Sequence, residues 1–370
     1  MKYYLLAGEA SGDLHGSHLI KALKKEDPKA QFRFWGGDLM AAEGGDLVVH
    51  YKDRAIMGFA EVIKNLPKIK KLFNLCKKDI SEYKPDALIF IDNSGFNLRI
   101  AKWAKPKGFN THYYISPQVW ASRAGRVKTI KKTIDHMYVV LPFVKDFYKK
   151  YDYPVHFVGH PLLDAISNRK QALPSIFREE NNLDERPIIA LLPGSRKQEI
   201  SKMLKVMLSV VDEFQEYQFV IAGAPSQEKE FYLQFIEKDN VHLLLNKTYD
   251  LLSLSHAALV TSGTATLETA LYKVPQVVCY KGGRISYEIA KRIIKLKYIS
   301  LVNLILDKPA VTELIQNDFT SKNLKKELTK ILDEYYRAVL FLDYYDLEVA
   351  LGGKGASEKT AKLIVSTLTK

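Results

Sequence analysis

The stretch AALVTSGTATLETALYKVP at residues 257–275 decides how the chain is read. Its apolar start, residues 257–260, breaks into Thr261-Ser262-Gly263-Thr264, and helical spacing takes over from Ala265. That pattern predicts a buried strand feeding the N-terminus of a helix. Such a helix end attracts anions, because its first-turn amides lack partners within the helix and the positive end of the dipole points outward. Gly263 lets a ligand come close to the backbone, and Glu268, one turn in, is placed to accept hydrogen bonds from ribose hydroxyls. Taken alone, the segment also reads as an ordinary strand-to-helix turn capped by Ser or Thr.

Working outward, short apolar runs alternate with amphipathic stretches from the first residues: 3–7 then 14–25, 87–91 then 98–105, 112–115 then 125–134, and 137–140 then 144–150. A second series runs through 188–192, 219–222, 241–245, 257–260 and 276–279. The alternation predicts an α/β protein of two tandem Rossmann-like, doubly wound domains with a deep interdomain cleft, ligands lying beyond the carboxyl ends of the strands. The polar segment 167–186 reads as a boundary. It sets an N-terminal domain at 1–166, a C-terminal domain at 186–340, and a helical tail at 341–370 expected to pack back across the domains.

The 370 residues carry 55 Lys and Arg against 42 Asp and Glu, a net charge of +13. That surplus favours an anionic partner: nucleic acid, a phosphorylated substrate or an acidic membrane surface. Cys76 and Cys279 stand far apart and in no metal-ligand spacing, which points to a reducing compartment and no structural zinc. The opening MKYYLLAGEASGD reads as a first strand rather than a signal peptide. No apolar run approaches the ~20 residues that span a bilayer, so membrane contact would be peripheral.

Several further turns carry chemical signals. GEASGD at 8–13 follows the first strand and opens a helix, placing Gly8, Glu9, Ser11 and Gly12 where a ligand or a facing domain approaches; the alternative is a tight turn with Asp13 near a helix start. The dinucleotide fingerprint Gly-x-Gly-x-x-Gly is absent there, removing the usual warrant for a nicotinamide or flavin cofactor. IDNSGFN at 91–97 sets Asp92 at the end of a strongly apolar strand, as a general base, a helix cap or a lysine partner. LLPGSRKQEI at 191–200 holds Arg196, behind Gly194 and Ser195, at a helix start where a guanidinium pairs with diphosphate oxygens; a local salt bridge is the plainer reading.

SPQVWASRAGRVKTIKK at 116–132 joins Ser116 and Trp120 to Arg123, Arg126, Lys128, Lys131 and Lys132. Mixed bases and aromatics suit nucleic acid or a helix flanking a phosphate pocket, and no nucleic-acid-binding module accompanies them. Residues 56–78 repeat Phe59, Val62, Ile63, Leu66, Ile69, Leu72 and Phe73 at helical spacing among lysines. That pattern fits docking on anionic headgroups or simple packing on a core. His15, His18 and His160 form no metal-ligand pattern, and Gly-x-Ser-x-Gly nucleophile motifs are missing.

In order along nearly the whole chain, GEASGD, KPDALIFIDNSGFN at 84–97, HYYISPQVWAS at 112–122, FVGHPLLD at 157–164, LLPGSRKQEI, SGTATLETAL at 262–271 and YISLVNLI at 298–305 resemble the lipid-A-disaccharide synthases. The resemblance implies a GT-B glycosyltransferase needing no metal and no cofactor. It would move 2,3-diacylglucosamine from its UDP conjugate to the 6-hydroxyl of 2,3-diacylglucosamine 1-phosphate, with inversion to a β-1,6 disaccharide and release of UDP. It also implies a cytoplasmic enzyme, peripheral on the anionic inner face of the inner membrane, with no nucleic-acid partner.

By position, Asp92 and Arg196 match the family's essential acid and arginine. Gly194, Ser195, Ser262, Gly263, Thr264, Glu268 and Asn303 fall to the UDP side, and Gly8, Glu9, Ser11, Gly12, Ser116 and Trp120 to the acceptor side of the cleft. Phe59, Val62, Ile63, Leu66 and Ile69 become the docking face. Gly95 departs from the pattern, since many members carry a second acid there. Another GT-B UDP-sugar enzyme, such as an N-acetylglucosamine transferase or an epimerase, is the nearest alternative, and a non-catalytic nucleic-acid-binding protein a more distant one.

Overall fold

Short, largely apolar runs of two to seven residues, rich in β-branched and aromatic side chains, form the strands of two parallel sheets in this computed structural model. It describes residues 1–54, 66–122, 124–169, 172–283 and 297–369. By their internal contacts the residues fall into two units: Met1–Ser167 with Leu351–Lys370, and Asn168–Ala350.

The first unit holds Lys2–Leu6 (β1), Gln31–Gly36 (β2), Asp46–His50 (β3), Ala87–Ile91 (β4), Thr111–Tyr114 (β5), His136–Val139 (β6) and His156–Phe157 (β7), in the order β3-β2-β1-β4-β5-β6-β7. The second holds Ile188–Leu192 (β8), Gln218–Gly223 (β9), Val241–Leu245 (β10), Ser255–Thr261 (β11), Gln276–Tyr280 (β12) and Thr312–Ile315 (β13), in the order β10-β9-β8-β11-β12-β13. Every residue of β4 and of β8 is buried, as parallel strands covered by helices on both faces require. In each sheet the strand order reverses once, between β1 and β4 and between β8 and β11. Loops there leave in opposite directions and open a crevice at the carboxyl edge, where ligands of open α/β sheets bind.

Residues 168–186, set apart by composition as a boundary, lie in the second unit, where Phe177 and Leu183 enter its core. The segment 341–370, expected as one tail, divides. Helix Glu334–Ala350 ends before Gly352, Gly353 and Gly355, whose φ values of +84°, +67° and +95° only glycine adopts freely. Helix Ala356–Leu368 then packs in the first unit against helix Ala10–Glu26. The FVGHPLLD turn receives this return: the His160 amide donates to the Leu351 carbonyl at 3.1 Å, and the Asp164 carboxylate accepts from the amides of Gly355 and Ser357. Among the described residues no helix is long and apolar enough to cross a membrane.

Candidate active site

Asp92 stands one residue beyond β4, at the reversal point of the first sheet. It and Asn93 both take left-handed backbone angles, φ 43° each, a conformation that costs energy and persists only where neighbours enforce it. The enforcement is visible. The Asp92 amide donates to the Tyr114 carbonyl at 3.2 Å, its carbonyl accepts from the Tyr113 hydroxyl, and the buried Asn97 amide donates to the carbonyls of Leu6, Ile91 and Asp92 at 3.2, 3.1 and 2.9 Å. Loss of solvent around the Asp92 carboxyl and, next, the Glu9 carboxylate push its pKa up to about 6, although the residue's own surface stays open to water. A carboxylate so tuned accepts a proton near neutral pH.

The GEASGD turn meets this acid directly. A Cβ on Gly8 would lie 1.9 Å from Asn93 Nδ2, so only glycine leaves room for the second turn. Glu9 and Ser11 are exposed. Gly12 is buried, and an added Cβ would lie 3.2 Å from that of Ala7, so the small residue lets the helix seat closely against the end of the first strand. Asp13 accepts from the amides of Gly37, Leu39 and Met40 and so caps the next helix, Asp38–Ala42. Ser116 is buried after Ile115, a β-branched residue at φ 61°. The Trp120 indole N–H donates to Gln118 and its ring meets Phe143 edge-on at 4.8 Å.

In the second unit two turns flank the reversal point, one after β8 and one after β11. Gly194, at φ +104°, brings the backbone against the Glu199 carboxylate, whose oxygen a Cβ would meet at 2.3 Å. The Ser195 carbonyl accepts from Ser226 Oγ at 3.2 Å and Gln227 Nε2 at 2.9 Å, fixing the loop. Arg196 is the exposed N-cap residue of helix Lys197–Met207, and among the described residues its guanidinium has no ion-pair partner. After β11, Ser262 donates its amide to the Cys279 carbonyl at 3.1 Å and its hydroxyl to the Ile299 carbonyl at 2.9 Å. Gly263, at φ +153° with open space where a Cβ would be, precedes helix Thr264–Leu271, in whose first turn the Thr266 amide donates to the Gly263 carbonyl at 3.2 Å while the amides of Thr264 and Ala265 lack partners within the helix.

Glu268 is largely withdrawn from solvent, which raises its pKa; its Oε1 accepts from the Tyr249 hydroxyl at 2.9 Å. Asn303 departs from the expected ligand contact. It is buried, and its side chain is spent on Val311, through both the amide and the carbonyl of that residue, and on Glu313. Glu313 also binds the amides of Ile299 and Ser300, so Asn303 shapes the backbone on which the Ser262 hydroxyl rests.

Of the expected docking face, Phe59, Val62 and Ile63 lie outside the described residues, as does the side chain of Leu66, which opens helix Leu66–Tyr83. Ile69 on that helix is half-buried, and Phe73 stacks on Phe96 at 4.4 Å, so this part of the stripe faces the protein. Arg123 is likewise undescribed. His15 and His160 are held down near 3 and 4, by burial first, too weakly basic for proton transfer at neutral pH. No group of three or more His, Cys, Asp or Glu converges on a metal site among the described residues. Sequence reasoning passed over Asn97, Tyr113 and Tyr249: the first two belonged to quoted motifs, but only strand pairing shows what they hold.

Comparison with known proteins agrees with this arrangement. A family model for lipid-A-disaccharide synthetase matches residues 3–364. A lipid-A-disaccharide synthase of Coxiella burnetii is 36% identical over 370 residues, covering 97% of this chain and 96% of its own. One of Syntrophus aciditrophicus is 38% identical over 377 residues, with 99% and 97% covered. Among solved structures, a UDP-GlcNAc 2-epimerase of Neisseria meningitidis bound to UDP-GlcNAc superposes with a TM-score of 0.67 at 14% identity, covering both chains completely. The UDP co-structure of S. aureus MnaA does so with a TM-score of 0.71 at 13% identity, over 100% and 97% of the chains. At such identities these two establish the fold alone, GT-B, and the specific statement comes from the sequence relatives, matched over nearly the whole chain: the chain belongs to the lipid-A-disaccharide synthetase family and is a glycosyltransferase.

Proposed function

We propose that the chain transfers 2,3-diacylglucosamine from its UDP conjugate to the 6-hydroxyl of 2,3-diacylglucosamine 1-phosphate. The acceptor oxygen attacks the anomeric carbon from the face opposite the diphosphate, inverting it. The carbon–oxygen bond to phosphate breaks, its electron pair leaves with UDP, and the hydroxyl proton passes to Asp92. Arg196 and the first-turn amides after Gly263 offset the charge that grows on the leaving diphosphate, and Glu268 binds the ribose hydroxyls. The observation that carries the reading is the Asp92 carboxyl, held by a strained, clamped backbone with its pKa at about 6.

The acceptor is an acylated lipid, so the same reading has the protein peripheral on an anionic membrane surface. Helix Leu66–Tyr83 supports this with Lys68, Lys70, Lys71 and Lys78 exposed on it. The test is to incubate purified protein with both diacylglucosamine substrates and follow disaccharide and UDP, with UDP-N-acetylglucosamine in parallel. Product from the unacylated donor alone would reassign the enzyme to another UDP-sugar reaction.

A further inference from the structure

We propose that Tyr249 is a positioning residue for the donor nucleotide: its hydroxyl pins one carboxylate oxygen of Glu268 so that the other faces the ribose diol. The proposal rests on the reading of Glu268 given above and adds to it a residue outside every turn considered so far.

Tyr249 lies in helix Thr248–Leu254, after β10, two strands away from the β8–β11 reversal point. Its hydroxyl reaches Glu268 Oε1 at 2.9 Å, while Glu268 Oε2 has no partner among the described residues. The phenol is held in place from two sides. Its ring stacks on Tyr272 at 5.8 Å, the Arg169 guanidinium lies 5.4 Å from the ring centroid, and Arg169 is itself fixed by Asp250 at 2.8 Å. Burial keeps the phenol protonated, so toward Glu268 it acts as a donor.

An ionised carboxylate offers about four acceptor positions, and Tyr249 fills one of those of Glu268, leaving Oε2 open. Two vicinal hydroxyls would supply the missing donors at the free oxygen. Binding then favours the ionised form, so nucleotide affinity falls as Glu268 takes up a proton. Because the tyrosine hydrogen bond also favours ionisation, its loss moves that fall to higher pH. A tyrosine that merely tied two helices together would change stability and leave this pH dependence untouched.

The test is calorimetric titration of the full chain with UDP between pH 5 and 8, for the wild type, Tyr249→Phe, Glu268→Gln and the double variant. Glu268→Gln supplies the baseline set by the titration of the diphosphate itself. The expected result is about tenfold weaker UDP binding in Tyr249→Phe at pH 7. Its acid limb should move to higher pH, the double variant should match Glu268→Gln, and wild type should release more protons on binding at low pH than Glu268→Gln does. If Glu268→Gln is weakened while Tyr249→Phe binds as wild type at every pH, the positioning role is overturned and the ribose contact stands. If Glu268→Gln binds as wild type, the ribose contact itself fails. Additive losses in the double variant would mean that Tyr249 acts apart from Glu268, which also overturns the proposal. Should Tyr249→Phe misfold, Tyr249→Met, which fills the same space without a donor, takes its place, and binding by it at the wild-type level at every pH overturns the proposal in the same way.

Discussion

The carboxylate of Asp164 accepts the main-chain amide of Ser357 at 3.1 Å, joining positions 193 residues apart in the chain. A second bond, from the Gly355 amide at 2.6 Å, completes a cap on the last helix. Replacing Asp164 by Ala leaves two amides in a closed environment without an acceptor and should cost ~1–3 kcal/mol of stability. Asp164→Asn keeps one acceptor oxygen and should lose less. Denaturant unfolding of the three proteins measures both steps.

On the proposed mechanism Asp92 sets the pH dependence of turnover. A base works in its ionised form, so the rate rises with pH through about 6 and levels off above it. Glu9→Gln removes a carboxylate that opposes ionisation of Asp92, which should move the rising limb to lower pH. Asp92→Asn should cut turnover by roughly 10²–10⁴ with UDP binding intact. Initial rates between pH 5 and 8 in the three proteins decide the matter; a limb that ignores Glu9→Gln removes the coupling.

Two glycines near this acid should answer differently to the same change. Gly8→Ala drives a Cβ into the Asn93 side chain at 1.9 Å and should disturb the left-handed pair 92–93, lowering turnover at least tenfold while UDP binding persists. Gly95→Ala meets nothing within 4 Å and should be nearly silent. Parallel assays of rate and UDP affinity separate the two.

Buried histidines should make the protein acid-sensitive. His15 and His112 are held near 3 and His160 near 4, chiefly by burial, well under the ordinary value near 6.5. Above 6.5 both native and unfolded chains carry them neutral. Below it the unfolded chain binds protons that the native one refuses, so stability falls as pH drops, by up to ~2 kcal/mol per histidine between pH 6.5 and 5. Unfolding free energies at pH 7.5 and 5 test the slope, and His112→Phe should flatten it.

Much of this was legible in the chain alone. Strands such as β4 and β8 announce themselves because burial on both faces demands an unbroken apolar run, and the turn after β8 carries Gly194, whose φ of +104° favours glycine. Asp92 stood out for the same reason, a charge at the end of ALIFI. The cradle beneath it did not, since Asn97 and Tyr113 gain their roles from neighbours that strand pairing supplies. Asn303 misleads because a polar residue in a motif reads as a ligand contact, whereas here its amide is consumed by Val311 and Glu313. Tyr249 carries no local signal, and its value comes from reaching a helix 19 positions later.

The division of the chain also orders its birth on the ribosome. The second unit is one continuous stretch, 168–350, and can close as soon as it emerges. The first unit needs residues 351–370 as well as 1–167, and the helix that covers one side of Ala10–Glu26 is made only after the whole of the second unit, so closure of the earlier-begun unit has to follow synthesis of the later one.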